Sequence, residues 1–389
     1  MPPTYVSHRC IVIADDLTGA CDSGLEYARA GLRTRITFDV VDTLEADVLV
    51  LSTDSRRMSP QAAFKHVSEL ASLLPLDRAE VVFKKIDSTL RGNIFQECEA
   101  VRQVADAHVA VLAPALPAQG RIVENGILKV DDLASGWSLD VEHKLREQGA
   151  RVERVQLDSL AQRIAEATSL SPYFLCDASS DEDLASIATV LWKAAQRTIW
   201  IGSAGLAKPL ASLLTKDLRA FNAEQGTPYP RMPKPVLACI GSDHPVTTRQ
   251  MEFLRQNRNC SAFKVANVEA SEIVAAFAQN RHILLTLDMQ QPNEVPLRRF
   301  FEELPIVSMG GIFISGGDTA ALVCRAADVR ELWLSGQIQN GVAYGYIEGG
   351  ALGGLAVATK SGGFGKADDL ARSIDFLSTS PSYERAPLT

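Results

Sequence analysis

The stretch KKIDSTLRGN (84–93) places many chemically active side chains directly after the apolar run AEVVF. These side chains are two cations on neighbouring residues, a carboxylate, two hydroxyls and a guanidinium: Lys84, Lys85, Asp87, Ser88, Thr89 and Arg91. A simple turn needs only glycine, proline or a short polar residue. Lysine and arginine hold carboxylates, and aspartates accept hydrogen bonds from hydroxyls. The stretch therefore indicates a site for a small, polyhydroxylated, anionic ligand rather than a solvated loop.

Polar clusters also follow three other apolar runs of the first half of the chain. Asp15 and Asp16 follow IVIA, TDSRR (53–57) follows VLVLS, and PALPAQGR (114–121) follows VAVLA. The carboxyl ends of parallel strands share one edge of a sheet, and ligands bind outside that edge. We therefore expect one crevice lined by Asp15, Asp16, Asp54, Arg56, Arg57, Lys84, Lys85, Asp87, Ser88, Arg91 and Arg121. Within this set, Asp54, Arg57 and Lys84 are expected to be scaffold or surface residues.

Glycine-rich turns mark the second half of the chain. They are CIGSDHPVTTRQ (239–250), MGGIFISGGDTAAL (309–322) and IEGGALGGLAVATKSGGFG (347–365). Glycine lets backbone N–H groups turn towards an anion, and helix N-termini add a partial positive charge. Three such turns together predict a nucleotide phosphate site, for which Lys360 is the obvious cation. The chain contains neither the Walker G-x-x-x-x-G-K-[ST] pattern nor the dinucleotide G-x-G-x-x-G pattern.

Alternating strands and amphipathic helices must position these residues. The predicted strands of the first half cover 10–14, 34–38, 47–52, 81–85, 108–113, 173–177 and 198–202, and those of the second half cover 235–240, 261–265, 282–287, 311–315 and 355–359. Such alternation is typical of parallel β-α-β units. The proline-rich segment NAEQGTPYPRMPKP reads as a linker. We predict an α/β protein of two domains, 1–221 and 236–389, joined by a linker at 222–235. Each domain has a mostly parallel sheet flanked by helices, and the active site lies in the cleft between them.

The charge and the cysteine and histidine content exclude several classes of protein and of binding partner. The net charge of −8 argues against nucleic acid and against an anionic membrane surface as partners. Seven cysteines without a C-x-x-C pair, and six histidines without H-x-x-x-H spacing, argue against a disulfide framework and a zinc site. The N-terminus lacks signal-peptide features, and no apolar run is long enough to span a bilayer. We expect a cytoplasmic protein with small-molecule partners, and a homo-oligomer is compatible with the composition.

Read in order, the motifs resemble those of the four-carbon acid sugar kinases, a family long catalogued only as a domain of unknown function. The resemblance runs from about residue 10 to residue 370 and rests on IADDLTGACDSG, TDSRRMSP, KKIDSTLRGN, PALPAQGR, GSAGLA, ISGGDTA and TKSGGFG. It implies ATP-dependent phosphorylation of the terminal hydroxyl of D-threonate, D-erythronate or a 3-oxo-tetronate. D-threonate is the preferred expectation. The sugar acid would bind in the N-terminal domain and the nucleotide in the C-terminal domain.

The resemblance also implies roles for individual residues. Contacts with the sugar acid would come from Asp15, Arg56, Lys85, Asp87 and Ser88, and we add Arg91 from the same stretch. Contacts with ATP would come from Ser242, Gly316, Gly317, Asp318, Thr319, Gly362 and Gly363, and we add Lys360. This chain departs from its relatives at ACDSG, at Asp243-His244 and at Asp318, where glutamate is usual.

A mechanism for this chemistry needs a base, a cation and a metal ion. Asp16 and Asp87 are the candidate bases for the terminal hydroxyl, and Asp16 is slightly preferred. Lys85 or Arg91 would stabilise the transferring phosphoryl group. Mg²⁺ would bridge the β- and γ-phosphates, with Asp318 as a direct or water-mediated ligand. The alternatives are a nicotinamide-dependent dehydrogenase and a non-enzymatic sugar-acid-binding protein.

Overall fold

The computed structural model describes residues 8–39, 45–131, 136–216, 232–267, 269–290, 294–363 and 365–380. The described residues form two compact units, one within Met1–Phe221 and the other within Asn222–Thr389. Most of the predicted linker, 222–231, lies outside the described residues. No helix in the described part of the chain is long and apolar enough to cross a bilayer.

The described residues of the first unit form eleven strands and seven α-helices. The strands are β1 Cys10–Ala14, β2 Thr34–Thr37, β3 Val48–Ser52, β4 Val81–Lys85, β5 Val109–Ala113, β6 Arg121–Glu124, β7 Ile127–Val130, β8 Trp137–Asp140, β9 Val152–Arg154, β10 Tyr173–Leu175 and β11 Thr198–Gly202. The helices are α1 Leu17–Arg29, α2 Pro60–Ser72, α3 Ile94–Val104, α4 Val141–Glu147, α5 Leu157–Ala165, α6 Asp181–Trp192 and α7 Ala204–Leu214.

Eight of these strands form one parallel sheet in the order β2-β3-β1-β4-β11-β5-β10-β9. Strands β1 and β4 are adjacent, with Ala14 opposite Lys85. All five residues of β1, β3, β4 and β5 are buried. Such continuous burial is expected of a parallel sheet covered on both faces. The sheet therefore brings the residues after β1, β3 and β4 to one edge.

Helix α1 begins at this edge because Asp16 caps it. Asp16 has extended backbone angles, and its side chain accepts a hydrogen bond from the backbone N–H of Gly19. A cap of this kind satisfies one of the donors that the first helical turn leaves without a partner. Helices α2 and α6 have serine caps at Ser59 and Ser180. Helix α1 thus starts directly beside the ends of β1 and β4.

In the second unit, the part that the structure describes contains seven strands and five α-helices. The strands are β12 Val236–Ile240, β13 Cys260–Lys264, β14 His282–Thr286, β15 Gly311–Ser315, β16 Glu331–Gln339, β17 Val342–Glu348 and β18 Ala356–Lys360, and the helices are α8 Pro245–Asn257, α9 Ala270–Ala278, α10 Glu294–Glu302, α11 Gly317–Ala326 and α12 Asp369–Ser378. Their sheet runs β13-β14-β12-β15-β18-β17-β16. In this order, the neighbouring strands β13, β14, β12, β15 and β18 are parallel. Strand β17 pairs antiparallel with both β18 and β16. Helices α8 and α12 cover a core that includes Leu254, Phe313 and Ile374.

All twelve predicted strands are present, and the α/β class with two mostly parallel sheets is confirmed. The prediction missed six strands: β6, β7, β8, β9, β16 and β17. Two of the missed hairpins carry a sequence signal, because Asn125-Gly126 joins β6 to β7 and Asn340-Gly341 joins β16 to β17. An Asn-Gly pair between strands favours a tight hairpin turn, and Asn125 and Gly126 both have positive φ (53° and 75°).

Candidate active site

Arg56 joins three of the predicted carboxylates at the edge of the first sheet. Its Nε donates to Asp15 Oδ2 over 2.6 Å and its Nη1 to Asp16 Oδ2 over 2.8 Å. Its Nη2 lies 3.6 Å from Asp87 Oδ1. The loops after β1, β3 and β4 therefore meet on one guanidinium, as the strand order predicts.

Burial and charge set the protonation of this group. Burial alone would raise the pKa of Asp15, but the charge and hydrogen bond of Arg56 outweigh it and hold that pKa below its usual value. The pKa of Asp16 is raised, first by burial and then by the neighbouring charge of Asp15. Asp15 Oδ1 is buried and accepts no hydrogen bond from the described residues. It is a ready acceptor for a ligand hydroxyl.

Asp87 organises the KKIDSTLRGN loop. Its Oδ2 accepts hydrogen bonds from Thr89 and from the backbone N–H (3.2 Å) and Nε (3.0 Å) of Arg91, and its Oδ1 accepts from Arg91 Nη2 (2.8 Å). Although burial opposes ionisation, the hydrogen bonds of Arg91 and the charge of Arg56 hold the pKa of Asp87 well below its usual range. A carboxylate held in this way positions its neighbours but is a weak base.

Lys84 and Lys85 point to opposite faces of β4, and both are buried. Lys84 Nζ lies 2.9 Å from Glu97 Oε2 of α3 in an ion pair hidden from solvent. Lys85 Nζ donates to the carbonyl oxygen of Ile86 over 2.8 Å. It lies over the first turn of α1, where a Cβ on Gly19 would come within 2.8 Å of it. Lys84 is thus a scaffold residue, as expected, and Lys85 faces the site.

Two further side chains belong to this site. Arg121 Nη1 donates to Ser88 Oγ over 2.6 Å, so the loop after β5 also reaches the cluster. Asp22 of α1 was missed, although it lies within the motif IADDLTGACDSG on which the family resemblance rests. It is half-buried, and its environment includes the charges of Lys85, Asp16 and Arg121. The predicted scaffold residues Asp54 and Arg57 are exposed.

In the second unit, the glycine turn after β15 starts helix α11. Gly316 precedes the helix with φ of 105°, a conformation that favours glycine, and no side chain caps the helix. Its N–H donates to the carbonyl oxygen of Lys360 over 2.9 Å. Thr319 Oγ1 in the first turn lies 3.8 Å from Met289 Sδ, and a Cβ on Gly241 would collide with it. The turn therefore presents the N-terminus of a ten-residue helix, which suits an anion.

The turns after β12 and β18 meet in the same unit. Thr247 Oγ1 of α8 donates to the carbonyl oxygen of Gly362 over 2.6 Å and lies 3.4 Å from Ser242 Oγ. A Cβ on Gly362 would collide with Ser242, whereas one on Gly363 would lie 3.5 Å from the ring of His244. The sequence prediction included Ser242, Gly362 and Gly363 but missed Thr247. Residue 362 must be glycine for these turns to pack so closely.

Lys360 and Asp318 are the charged residues predicted for this unit. Lys360 Nζ donates to the carbonyl oxygen of Ser361 over 2.8 Å. Burial lowers the pKa of Lys360 to about 8, although the charge of Asp369 opposes this. Asp318 is exposed in the first turn of α11. The described residues contain no group of three metal-binding side chains. Mg²⁺ that is bound through nucleotide phosphates needs only one or two carboxylates, so Asp318 fits such an ion.

Both units match known domain families. Residues 10–210 match the family described as sugar-binding N-terminal domain, and residues 237–370 match the nucleotide-binding C-terminal domain. The charged group of Asp15, Asp16, Arg56, Lys85 and Asp87 lies in the first region. The glycine turns lie in the second.

Curated relatives cover nearly the whole chain. A D-threonate kinase of Cupriavidus necator is 31% identical over 91% of this chain and 94% of its own length. A D-erythronate kinase of Heliobacterium modesticaldum is 25% identical over 97% of this chain and 99% of its own length. A 3-oxo-tetronate kinase of Pseudomonas fluorescens is 27% identical over 94% of this chain and 96% of its own length.

The fold has a close counterpart among solved structures. A crystal structure of a Haemophilus influenzae protein superposes with a TM-score of 0.70 over 93% of this chain and 98% of that one, at 20% identity. At that identity the likeness concerns the fold alone. Both domain matches and the 31% identity to a full-length kinase establish more than the fold. The chain belongs to the four-carbon acid sugar kinase family and is a sugar acid kinase, a phosphotransferase.

Proposed function

We propose that this chain uses Mg²⁺–ATP to phosphorylate the terminal hydroxyl at C4 of a four-carbon sugar acid, and that D-threonate is its preferred substrate. The observation that carries the proposal is the buried cluster of cations and carboxylates after β1, β3 and β4. It offers charged donors for a carboxylate beside acceptors for hydroxyls. The choice of D-threonate is supported by the 31% identity to a D-threonate kinase, against 25% and 27% for relatives that act on the other two acids.

In this proposal the first unit recognises the sugar acid. Lys85, Arg91 and Arg121 provide positive charge for the carboxylate and for the transferring phosphoryl group. Asp15 Oδ1, which accepts no hydrogen bond from the described residues, accepts one from a substrate hydroxyl. Arg56 and Asp87 fix the positions of the loops that carry these groups. Ser88, held by Arg121, adds a hydroxyl that can both donate and accept.

The second unit binds the nucleotide in the same proposal. The N-terminus of α11 and the turns at Ser242 and Gly362-Gly363 surround the phosphates, and Lys360 adds a cation. When bound, Mg²⁺ neutralises charge on the β- and γ-phosphates, and Asp318 is the carboxylate that would hold it. Phosphoryl transfer depends mainly on positioning and electrostatic stabilisation. We therefore propose that the two domains bring their ligands together for in-line transfer.

The first experiment is a coupled ADP-release assay with Mg²⁺–ATP and D-threonate, D-erythronate or 3-oxo-tetronate. We expect turnover with D-threonate to exceed turnover with the other two acids, to require Mg²⁺, and to yield a phosphate ester at C4 by ³¹P NMR. Asp87→Asn should lower kcat/KM by about 100-fold or more, because a buried charge pair loses one partner. No turnover with any of the three acids would refute the proposal, and a preference for another acid would refute the choice of D-threonate.

The two alternatives from sequence are disfavoured by the family assignment. A dehydrogenase would need a nicotinamide cofactor, and the curated relatives that match over the full length are kinases. A binding protein without catalysis would not need the nucleotide-binding domain at 237–370.

A further inference from the structure

Asp22 of α1 lies among charged groups of the first unit, and its surroundings include the charges of Lys85, Asp16 and Arg121. It follows Gly19 by three residues on α1, which places both residues on the same side of the helix. Because Gly19 has no Cβ, Lys85 Nζ and Asp16 Oδ1 can lie close to its backbone. A Cβ on Gly19 would be 2.8 Å from Lys85 Nζ and 2.7 Å from Asp16 Oδ1. Asp22 therefore lies one helical turn beyond the point where Lys85 crosses α1.

Lys85 and Asp22 have hydrogen-bonding groups that the described residues leave partly unused. Lys85 is buried, and among the described residues its Nζ donates to one acceptor, the carbonyl oxygen of Ile86, which leaves two N–H donors. Asp22 is half-buried, and within the part of the chain that the structure describes its surroundings act on it through burial and charge, not through a hydrogen bond. A buried ammonium group with unused donors normally meets a ligand or water. A carboxylate next to it can accept a proton from the same ligand.

The other carboxylates of the cluster are already engaged. Both oxygens of Asp87 accept hydrogen bonds from Arg91. Asp16 caps α1 through Oδ1 and binds Arg56 through Oδ2. Asp15 binds the same guanidinium, and its low pKa makes it a poor proton acceptor. A general base needs an oxygen within reach of the substrate proton. Asp22 is the carboxylate of this cluster whose two oxygens have no protein donor among the described residues.

We propose that Asp22, rather than Asp16 or Asp87, is the general base that accepts the proton of the terminal hydroxyl. This inference rests on the proposed function. In the step, the hydroxyl oxygen forms a bond to the γ-phosphorus while the bond between that phosphorus and the β,γ-bridging oxygen breaks. The proton passes to Asp22, ADP leaves with the bridging oxygen, and Asp22 releases the proton to solvent. Lys85 orients the acceptor beside Asp22.

The protonation of Asp22 suits this role. Burial raises its pKa to about 6, the charge of Lys85 opposes the rise, and Asp16 adds to it. Arg121 lowers the pKa and Glu26 of the same helix raises it. The carboxyl group is therefore ionised at pH 7 and more basic than an ordinary aspartate. A base with a pKa near the working pH transfers protons most effectively.

The test compares Asp22→Asn with the wild-type chain in steady-state kinetics with D-threonate and Mg²⁺–ATP. We expect kcat to fall by about 10²- to 10⁴-fold, while KM for the acid changes by less than about threefold and the acid still stabilises the variant against heat. A fall in kcat without loss of binding separates a base from a binding residue.

The pH profile provides the second readout. Because the base must be ionised, wild-type kcat/KM should decline as the pH falls below about 6. The residual activity of Asp22→Asn should show no decline in that range. Asp158→Asn, at an exposed aspartate in the first turn of α5, is the matched control and should keep the wild-type profile.

The outcomes distinguish the two proposals. An active wild type with Asp22→Asn within fivefold in kcat, or a loss confined to KM, would overturn the assignment of Asp22 and leave the kinase intact. A wild type without activity on any four-carbon acid would overturn both. Asp22→Asn should also fold, because the raised pKa means that the ionised carboxylate destabilises the native state above pH 6. Its thermal midpoint at pH 8 should equal or exceed that of the wild type.

Discussion

At the scale of single residues, environment gives identical side chains different chemistry. Asp87 and Asp22 are both aspartates beside cations, yet their pKa values move in opposite directions from the usual one. The difference is hydrogen bonding: Arg91 and Thr89 stabilise the charged form of Asp87, while Asp22 is half-buried without a donor among the described residues. The same reasoning applies to two buried lysines. Glu97 outweighs burial and raises the pKa of Lys84, whereas burial lowers the pKa of Lys360.

The lowered pKa of Lys360 makes a prediction about nucleotide binding. With a pKa of about 8, the ammonium group is charged below that pH and neutral above it. We expect the affinity for Mg²⁺–ATP, measured by titration calorimetry, to fall by about tenfold or more as the pH rises from 7 to 9.5, which is the loss of one charge-assisted hydrogen bond. Lys360→Arg should bind independently of pH, because arginine stays protonated.

Lys360→Met is the control for this prediction. It should bind the nucleotide weakly at every pH, because it carries no charge to lose. A wild-type affinity that changes with pH in the same way as that of Lys360→Met would show that another group is responsible.

At the scale of elements, the buried pair of Lys84 and Glu97 joins strand β4 to helix α3. Burial raises the pKa of Glu97 against the charge of Lys84, while Glu97 raises the pKa of Lys84. Each charge thus compensates the other in a place that water does not reach. The strand that carries Lys85 and leads into Asp87 is anchored by this contact.

We expect Lys84→Met to lower the free energy of unfolding by about 3–5 kcal/mol, because Glu97 is left buried without its counter-charge. Urea denaturation at pH 7 measures this change. The double variant Lys84→Met with Glu97→Leu should recover most of the loss, since it removes both charges. Lys65→Met is the surface control, because the pair of Lys65 and Glu69 is more than half exposed. Equal effects of Lys84→Met and Lys65→Met would contradict the argument.

At the scale of the whole molecule, the proposed ligands bind to separate units, each with its own sheet and core. Acidic and basic side chains collect at the strand ends of the first unit, and glycine turns collect at those of the second. This division lets sugar-acid and nucleotide contacts be changed independently.

We predict that one variant weakens the binding of the sugar acid alone and that a second weakens the binding of ATP alone. Arg91→Gln should raise KM for the sugar acid by about tenfold, the loss of one charged hydrogen bond, and change KM for ATP by less than about twofold. Its side chain is 68% exposed, so the fold should tolerate the change. Lys360→Met should do the reverse. Initial-rate kinetics with each substrate varied in turn provide both constants, and variants that shift both constants equally would rule out independent sites.

The sequence by itself determined the α/β class, twelve of the eighteen described strands, and the strand ends at which polar and glycine-rich turns collect. Apolar runs that end in polar or glycine-rich turns identify the edge of a parallel sheet where ligands bind, so the order of residue types alone groups Asp15, Arg56 and KKIDSTLRGN. The Asn-Gly hairpins carry an equally local signal. Such patterns depend on neighbouring residues only, so these turns and hairpins can be recognised from the sequence without knowledge of tertiary contacts.

Only the tertiary structure decided which charged groups meet. Lys84 of β4 and Glu97 of α3 are thirteen residues apart in the sequence, and the fold brings their side chains to 2.9 Å. Asp22 lies within the motif IADDLTGACDSG, but its surroundings depend on Gly19, which leaves room for Lys85 of β4. Conversely, Asp87 resembles a base in sequence, whereas burial is outweighed by Arg91 and Arg56, which hold its pKa well below its usual range. Contacts between distant segments set burial and charge, and burial and charge set the chemistry of each carboxylate.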